Sequence, residues 1–66
     1  MRMVVNGEAR EAPDSVTLAE YLTGLNLRPQ MVVVERNGEI VPRDQYTGTA
    51  LAEGDVLEIV QMMAGG

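Results

Sequence analysis

Apolar and polar positions alternate along this chain in short blocks, and nearly every block is closed by a turn signal. Met1-Arg2-Met3-Val4-Val5 runs into Asn6-Gly7, a dipeptide suited to a type I′ turn because both central positions need positive φ. Glu8 to Ala12 then returns as a more polar strand that Pro13-Asp14 ends. Thr17 precedes Glu20 by three residues, the spacing of a capping box that opens a helix. Leu18, Leu22 and Leu25 follow at i, i+4 and i+7, one stripe of a 3.6-residue period, while Glu20, Thr23 and Gly24 fall off it. The helix is expected to stop near Asn26, since Pro29 cannot continue it and biases Arg28 to an extended conformation. A helix this short is marginal alone and needs a sheet to lean on.

Met31-Val32-Val33-Val34 is a continuous apolar run, the pattern of a strand covered on much of its surface. Asn37-Gly38 turns it back into Glu39-Ile40-Val41, which Pro42 confines to a stub or an edge. Residues 43–50 are polar and turn-rich, a loop with room for one helical turn. After a turn at Ala52-Glu53-Gly54-Asp55, Val56 to Val60 forms the last strand, with Leu57 and Ile59 on one face and Glu58 on the other. The order hairpin, helix, strand, stub, loop, strand predicts an α+β roll of the β-grasp type, a small mixed β-sheet with one helix packed across it. The expected core is Met3, Val5, Val16, Leu18, Leu22, Leu25, Leu51, Leu57 and Ile59, joined by Val32 and Val34. With no Phe or Trp it should be aliphatic and small.

Composition narrows the function classes. Sixty-six residues make one domain, read here as 1–61, followed by a flexible tail over 62–66 that ends in Gly-Gly. No Cys and no His remove disulfides, thiolate nucleophiles and the commonest general base and metal ligand, so neither a catalytic residue nor a metal site is expected. A net charge of −5 argues against nucleic acid and against anionic membrane surfaces. No apolar run approaches the roughly 20 residues that span a bilayer, and no signal-peptide pattern opens the chain. A soluble, cytoplasmic protein is the expectation.

Most polar residues suggest little chemistry. Glu53 and Asp55 read as solvated charges beside a tight turn. Arg43 either contacts a partner or faces solvent, and Tyr46 is expected to anchor its loop on the core. Asn6-Gly7 and Asn37-Gly38 read as turn residues, and their likeness to each other is no sign of a repeat.

The C-terminus differs. Ala64-Gly65-Gly66 follows the last strand with no cap, charge or bulky group. Small residues can simply end a disordered tail. Equally, two glycines let the backbone thread a narrow channel and carry the terminal carboxylate beyond the globule. That carboxylate is a poor electrophile until activated, as in a mixed anhydride with AMP. A chain without Cys, His and Lys cannot perform that step and would be its substrate.

Val5-Asn6-Gly7-Glu8, Asn37-Gly38-Glu39-Ile40-Val41-Pro42-Arg43, Glu53-Gly54-Asp55, Glu58-Ile59-Val60-Gln61 and Ala64-Gly65-Gly66, in this order, resemble the ubiquitin-like sulfur carriers. Within them the thiamine-biosynthesis (ThiS) branch is the most similar, although many relatives carry Trp where Tyr46 stands. Molybdopterin-synthase small subunits look similar but usually run longer, with a Pro-containing segment before the diglycine. The resemblance implies a carrier, not an enzyme, with no bound cofactor. A ThiF-like adenylating enzyme using ATP and Mg would activate Gly66, and a persulfide donor would convert it to a thiocarboxylate. Gly65 and Ala64 would thread the channel, and a ThiG-like thiazole synthase would take the sulfur. Strand alternation adds an expected docking patch of Val60 and Met62 for the activating enzyme, the alternative being that Val60 is half-covered.

Rival readings remain at this level: a carrier for molybdopterin, cysteine or tRNA thiolation, a ubiquitin-like modifier joined to lysines, or a β-grasp interaction module without C-terminal chemistry. Isopeptide adducts would mark the modifier, and indifference to loss of Gly65-Gly66 would mark the module.

Overall fold

The computed structural model describes residues 1–62. Strand β1 (Arg2–Val5) pairs antiparallel with β2 (Glu8–Glu11) through the Asn6-Gly7 turn. Asn6 and Gly7 take φ of 51° and 82°, and Asn37 and Gly38 repeat the pattern at 53° and 88° between β3 (Val32–Arg36) and β4 (Glu39–Ile40). Both hairpins therefore turn as their dipeptides predict. The last strand, β5 (Val56–Gln61), inserts between the hairpins, parallel to β1 and antiparallel to β3. The sheet order is β2-β1-β5-β3-β4, which puts the C-terminal strand at the centre and the stub β4 on an edge.

Helix α1 (Leu18–Gly24) crosses one face of this sheet. The Thr17 Oγ1 accepts from the Glu20 N–H at 3.1 Å and the Glu20 carboxylate accepts from the Thr17 N–H at 2.9 Å, completing the capping box. Its exit is a Schellman turn: the Leu27 N–H donates to the Leu22 carbonyl and the Asn26 N–H to the Thr23 carbonyl, both at 2.9 Å, with Asn26 left-handed at φ 61°. Asn26 itself, ahead of Pro29, ends the helix. Pro29 instead opens a 3-10 turn over Pro29–Met31, so Met31 precedes the strand that the apolar run suggested it begins.

The core is Met3, Val5, Ala12, Leu18, Leu22, Val32, Val34, Tyr46, Leu51, Leu57 and Ile59. Three expectations change. Leu25 is 45% exposed, because it is the C-cap where the chain leaves the helix, and half-buried Leu27 and Tyr21 pack there instead. Val16 is half-buried against the core, not within it. Nor is the core purely aliphatic: the ring of Tyr46 is buried, and its hydroxyl donates to the Val32 carbonyl at 3.1 Å. That bond satisfies the one polar atom the ring brings inside. It also holds the loop after the 3-10 turn Arg43–Gln45 against the sheet, as expected of Tyr46.

Candidate functional site

The open face of the sheet, opposite α1, follows from register. Val4 pairs with Val56, Val33 with Val60, Glu35 with both Glu58 and Ile40. Partners share a face, and Leu57 and Ile59 point into the core, so these residues point away from it. Val60 is 60% exposed and Ile40 65%, with Val56 also exposed and Val4 and Val33 half-buried beneath them. The result is a strip across β1, β5 and β3 that reaches β4, apolar at Val4, Val56, Val60, Val33 and Ile40 and interrupted by Glu58 and Glu35. Val60 is exposed on the face opposite Leu57 and Ile59, as strand alternation predicts. Met62 is 41% exposed and also borders a recess of about 260 Å³ with Leu27, Arg28 and Met31. Val56, Val33 and Ile40 are missed from sequence as parts of this strip: Val33 sits in an unbroken apolar run that does not announce which residue faces outward, and the proximity of Val56 and Ile40 follows only from strand register.

Glu35 and Glu58 stand directly opposite each other within the strip. Like charges at paired positions destabilise a sheet, so their juxtaposition favours a basic group brought by a partner.

The tail is held at its root. The Met62 N–H donates to the Met31 carbonyl at 2.7 Å, one step past the end of β5. Ala64, Gly65 and Gly66, the residues expected to thread and to be modified, lie outside the described residues, as does Met63.

Asp55 overturns its expectation. It is only 5% exposed and accepts from the Ala52 N–H at 2.8 Å, Arg36 Nε at 2.9 Å and Asn37 Nδ2 at 3.1 Å. Burial raises its pKa. The bonds from Ala52, Asn37 and Arg36, with the charge of Arg36, outweigh that and hold it below its usual 3.8. The carboxylate thus ties the turn at residues 52–55 to the β3–β4 turn, a long-range contact that sequence spacing could not reveal. Glu53 does stay at the surface, where it accepts from the Arg2 N–H at 3.0 Å. Arg43 is exposed, and its guanidinium donates to the carbonyls of Pro29 and Val32 at 3.2 and 3.3 Å.

Catalytic equipment is sparse. A groove of about 570 Å³ beside α1 is lined by Asn6, Glu8, Arg10, Tyr21 and Leu25 among others, and Glu8 is spent on an ion pair with Arg10 at 2.8 Å. Among the described residues no three Asp, Glu, His or Cys side chains cluster to hold a metal, and no helix is long and apolar enough to cross a membrane.

Comparison with known proteins agrees with this architecture. The model of the ThiS family matches residues 3–66. A crystal structure of the thiamine biosynthesis protein (ThiS) from Geobacter metallireducens superposes with a TM-score of 0.85 at 32% identity, covering all of both chains. The sulfur carrier protein ThiS of Bacillus subtilis is 38% identical over 53 residues, 80% of each chain. The thiazole synthase of Paramagnetospirillum magneticum is 44% identical over all 66 residues. The chain spans only 20% of the length of that protein, and of a second thiazole synthase from Magnetococcus marinus.

Proposed function

The chain belongs to the ThiS family, and on that premise we propose that it is a sulfur carrier of thiamine biosynthesis whose terminal Gly66 is activated by another enzyme. The observation that carries this reading is the family match through Gly66, on a fold whose last strand, β5, lies at the centre of the sheet. In this reading the Gly66 carboxylate attacks the α-phosphorus of ATP on a ThiF-like adenylating enzyme, and pyrophosphate leaves. A persulfide sulfur then attacks the acyl carbon and displaces AMP. A thiol cleaves the remaining sulfur–sulfur bond, leaving a thiocarboxylate on Gly66. Magnesium and basic groups of the partner screen the repulsion between carboxylate and triphosphate. The carrier contributes no catalytic side chain. It contributes a backbone end group narrow enough to enter a channel, and Gly65 and Ala64 keep the approach slim.

The strip around Val60, with Met62 at its rim, is the surface proposed to dock the activating enzyme. Its exposed apolar residues and the opposed Glu35 and Glu58 suit a partner face that carries both apolar and basic groups. The acceptor is proposed to be a ThiG-like thiazole synthase, supported by the two thiazole synthases that contain a stretch like this chain. A cytoplasmic setting is part of this proposal, supported by the ATP that the activating step consumes.

The test is ATP–pyrophosphate exchange by the activating enzyme with the full chain and with a chain lacking Gly65-Gly66. Exchange that requires the two glycines supports the proposal. Exchange indifferent to them refutes it.

A further inference from the structure

Both Asn-Gly turns do more than turn. Each places its asparagine side chain on the backbone of β5. Asn6 Oδ1 accepts from the Ile59 N–H at 2.7 Å, and Asn6 Nδ2 donates to the Ile59 carbonyl at 3.2 Å. The amide thus mimics one rung of a strand ladder, and the two Ile59 groups fix which way round it sits. Backbone pairing between β1 and β5 runs from the Val4 N–H to Asp55 at 3.0 Å and from the Asn6 N–H to Leu57 at 2.9 Å. There β1 turns away at Asn6, and the side chain supplies the next rung where the strand itself has ended.

Asn37 makes the matching contact at the other end of β5. Its N–H donates to the Val56 carbonyl at 2.7 Å and its Oδ1 accepts from the Val56 N–H at 2.9 Å. The two ties differ in place. Asn37 holds the first residue of β5, whereas only Val60 and Gln61 follow Ile59 in the strand. The end of β5 is therefore held from two sides, by Asn6 on Ile59 toward β1 and by the Met31 carbonyl on the Met62 N–H toward β3.

We infer that Asn6 is a positioning residue for sulfur loading, one that aims the C-terminal segment by holding Ile59. This rests on the proposed function. Asn6 acts through the β5 backbone. Docking through the open face governs how tightly the carrier is held, while the direction of the tail governs how often Gly66 meets the nucleotide in a reactive pose. Loss of the Asn6 tie should thus lower kcat and spare KM.

The experiment compares Asn6→Gly with Asn37→Gly in adenylation by the activating enzyme. Glycine accepts the positive φ of either turn, so each variant keeps its hairpin and loses only the side chain. Asn6→Gly should lower kcat by roughly tenfold or more, as expected for a displaced reacting group, with KM nearly unchanged. Asn37→Gly, which loosens the far end of β5 and also removes the Asn37 bond to Asp55, should leave kcat of the folded protein close to that of the parent chain. In parallel, amide hydrogen exchange should quicken at Ile59 in Asn6→Gly while Val60, held from β3, stays protected. An unchanged kcat, or equal losses in the two variants, overturns the positioning role, and unchanged exchange at Ile59 overturns the tie itself. If the parent chain is not adenylated, the proposed function fails and the kinetic role with it, while the exchange measurement still decides the tie.

Discussion

Asp55→Asn changes no volume and removes one charge, so its effect isolates the electrostatic knot that joins the turn at residues 52–55 to the β3–β4 hairpin. Asp55 accepts three hydrogen bonds, from Ala52, Arg36 and Asn37. An asparagine must turn its Nδ2 toward at least one of those donors. If it faces Asn37, that amide must flip, and the flip sets Nδ2 against the Val56 N–H that Asn37 Oδ1 now serves. A donor left unmatched costs about 1–3 kcal/mol. Breaking a fully buried ion pair costs about 3–5 kcal/mol, an upper bound because the Arg36 side chain is 30% exposed and water screens it. Together these give a loss of about 2–4 kcal/mol, against a total stability of roughly 3–10 kcal/mol at the usual yield per residue. For a domain of this size that lowers Tm by roughly 8 °C or more. The folded pKa of Asp55 lies below its unfolded value of 3.8, so its contribution is complete above that pH and is lost as pH falls through the folded pKa. Thermal melts followed by circular dichroism should show a wide gap between the two proteins at neutral pH that closes in acid below about pH 4. Equal melting temperatures at neutral pH, or a gap that stays constant into strong acid, would refute the reasoning.

Two further predictions concern the two faces of the sheet. Val60→Asp, on the open face, should slow adenylation by raising KM while leaving Tm unchanged; adenylation kinetics equal to the parent's would dispose of the docking strip. Leu22→Ala should cost about 2–5 kcal/mol because Leu22 is fully buried, whereas Leu25→Ala, at the exposed helix cap, should cost well under half as much. Urea unfolding of both variants checks the contrast, and equal losses would contradict the placement of Leu25.

Local signals were legible where local chemistry decides structure. Asn-Gly demanded positive φ, Thr17 with Glu20 demanded a helix start, and alternation in β5 separated Leu57 and Ile59 from Val60. What escaped the sequence depends on register and on contacts between distant segments. The helical stripe includes Leu25, but a Schellman exit cut it one turn short, and only the left-handed Asn26 reveals that. The run Val32-Val33-Val34 has no polar member to mark its outward residue, so Val33 joined the open strip only once its pairing with Val60 was known. Asp55 looked like any acid beside Gly54 until Arg36 and Asn37 were brought against it from a separate hairpin. The two asparagines carried a turn signal strong enough to account for them fully, which hid the second task of their side chains.

The account as a whole turns on chemistry at one carboxyl group, so the most direct measurement is the intact mass of the protein recovered from cells that also express its activating partner. A population heavier by one oxygen exchanged for sulfur, with the change confined to the fragment ending in Gly66, is the predicted result. A wholly unmodified population in the presence of an active partner, or one joined through Gly66 to lysines of other proteins, would contradict it.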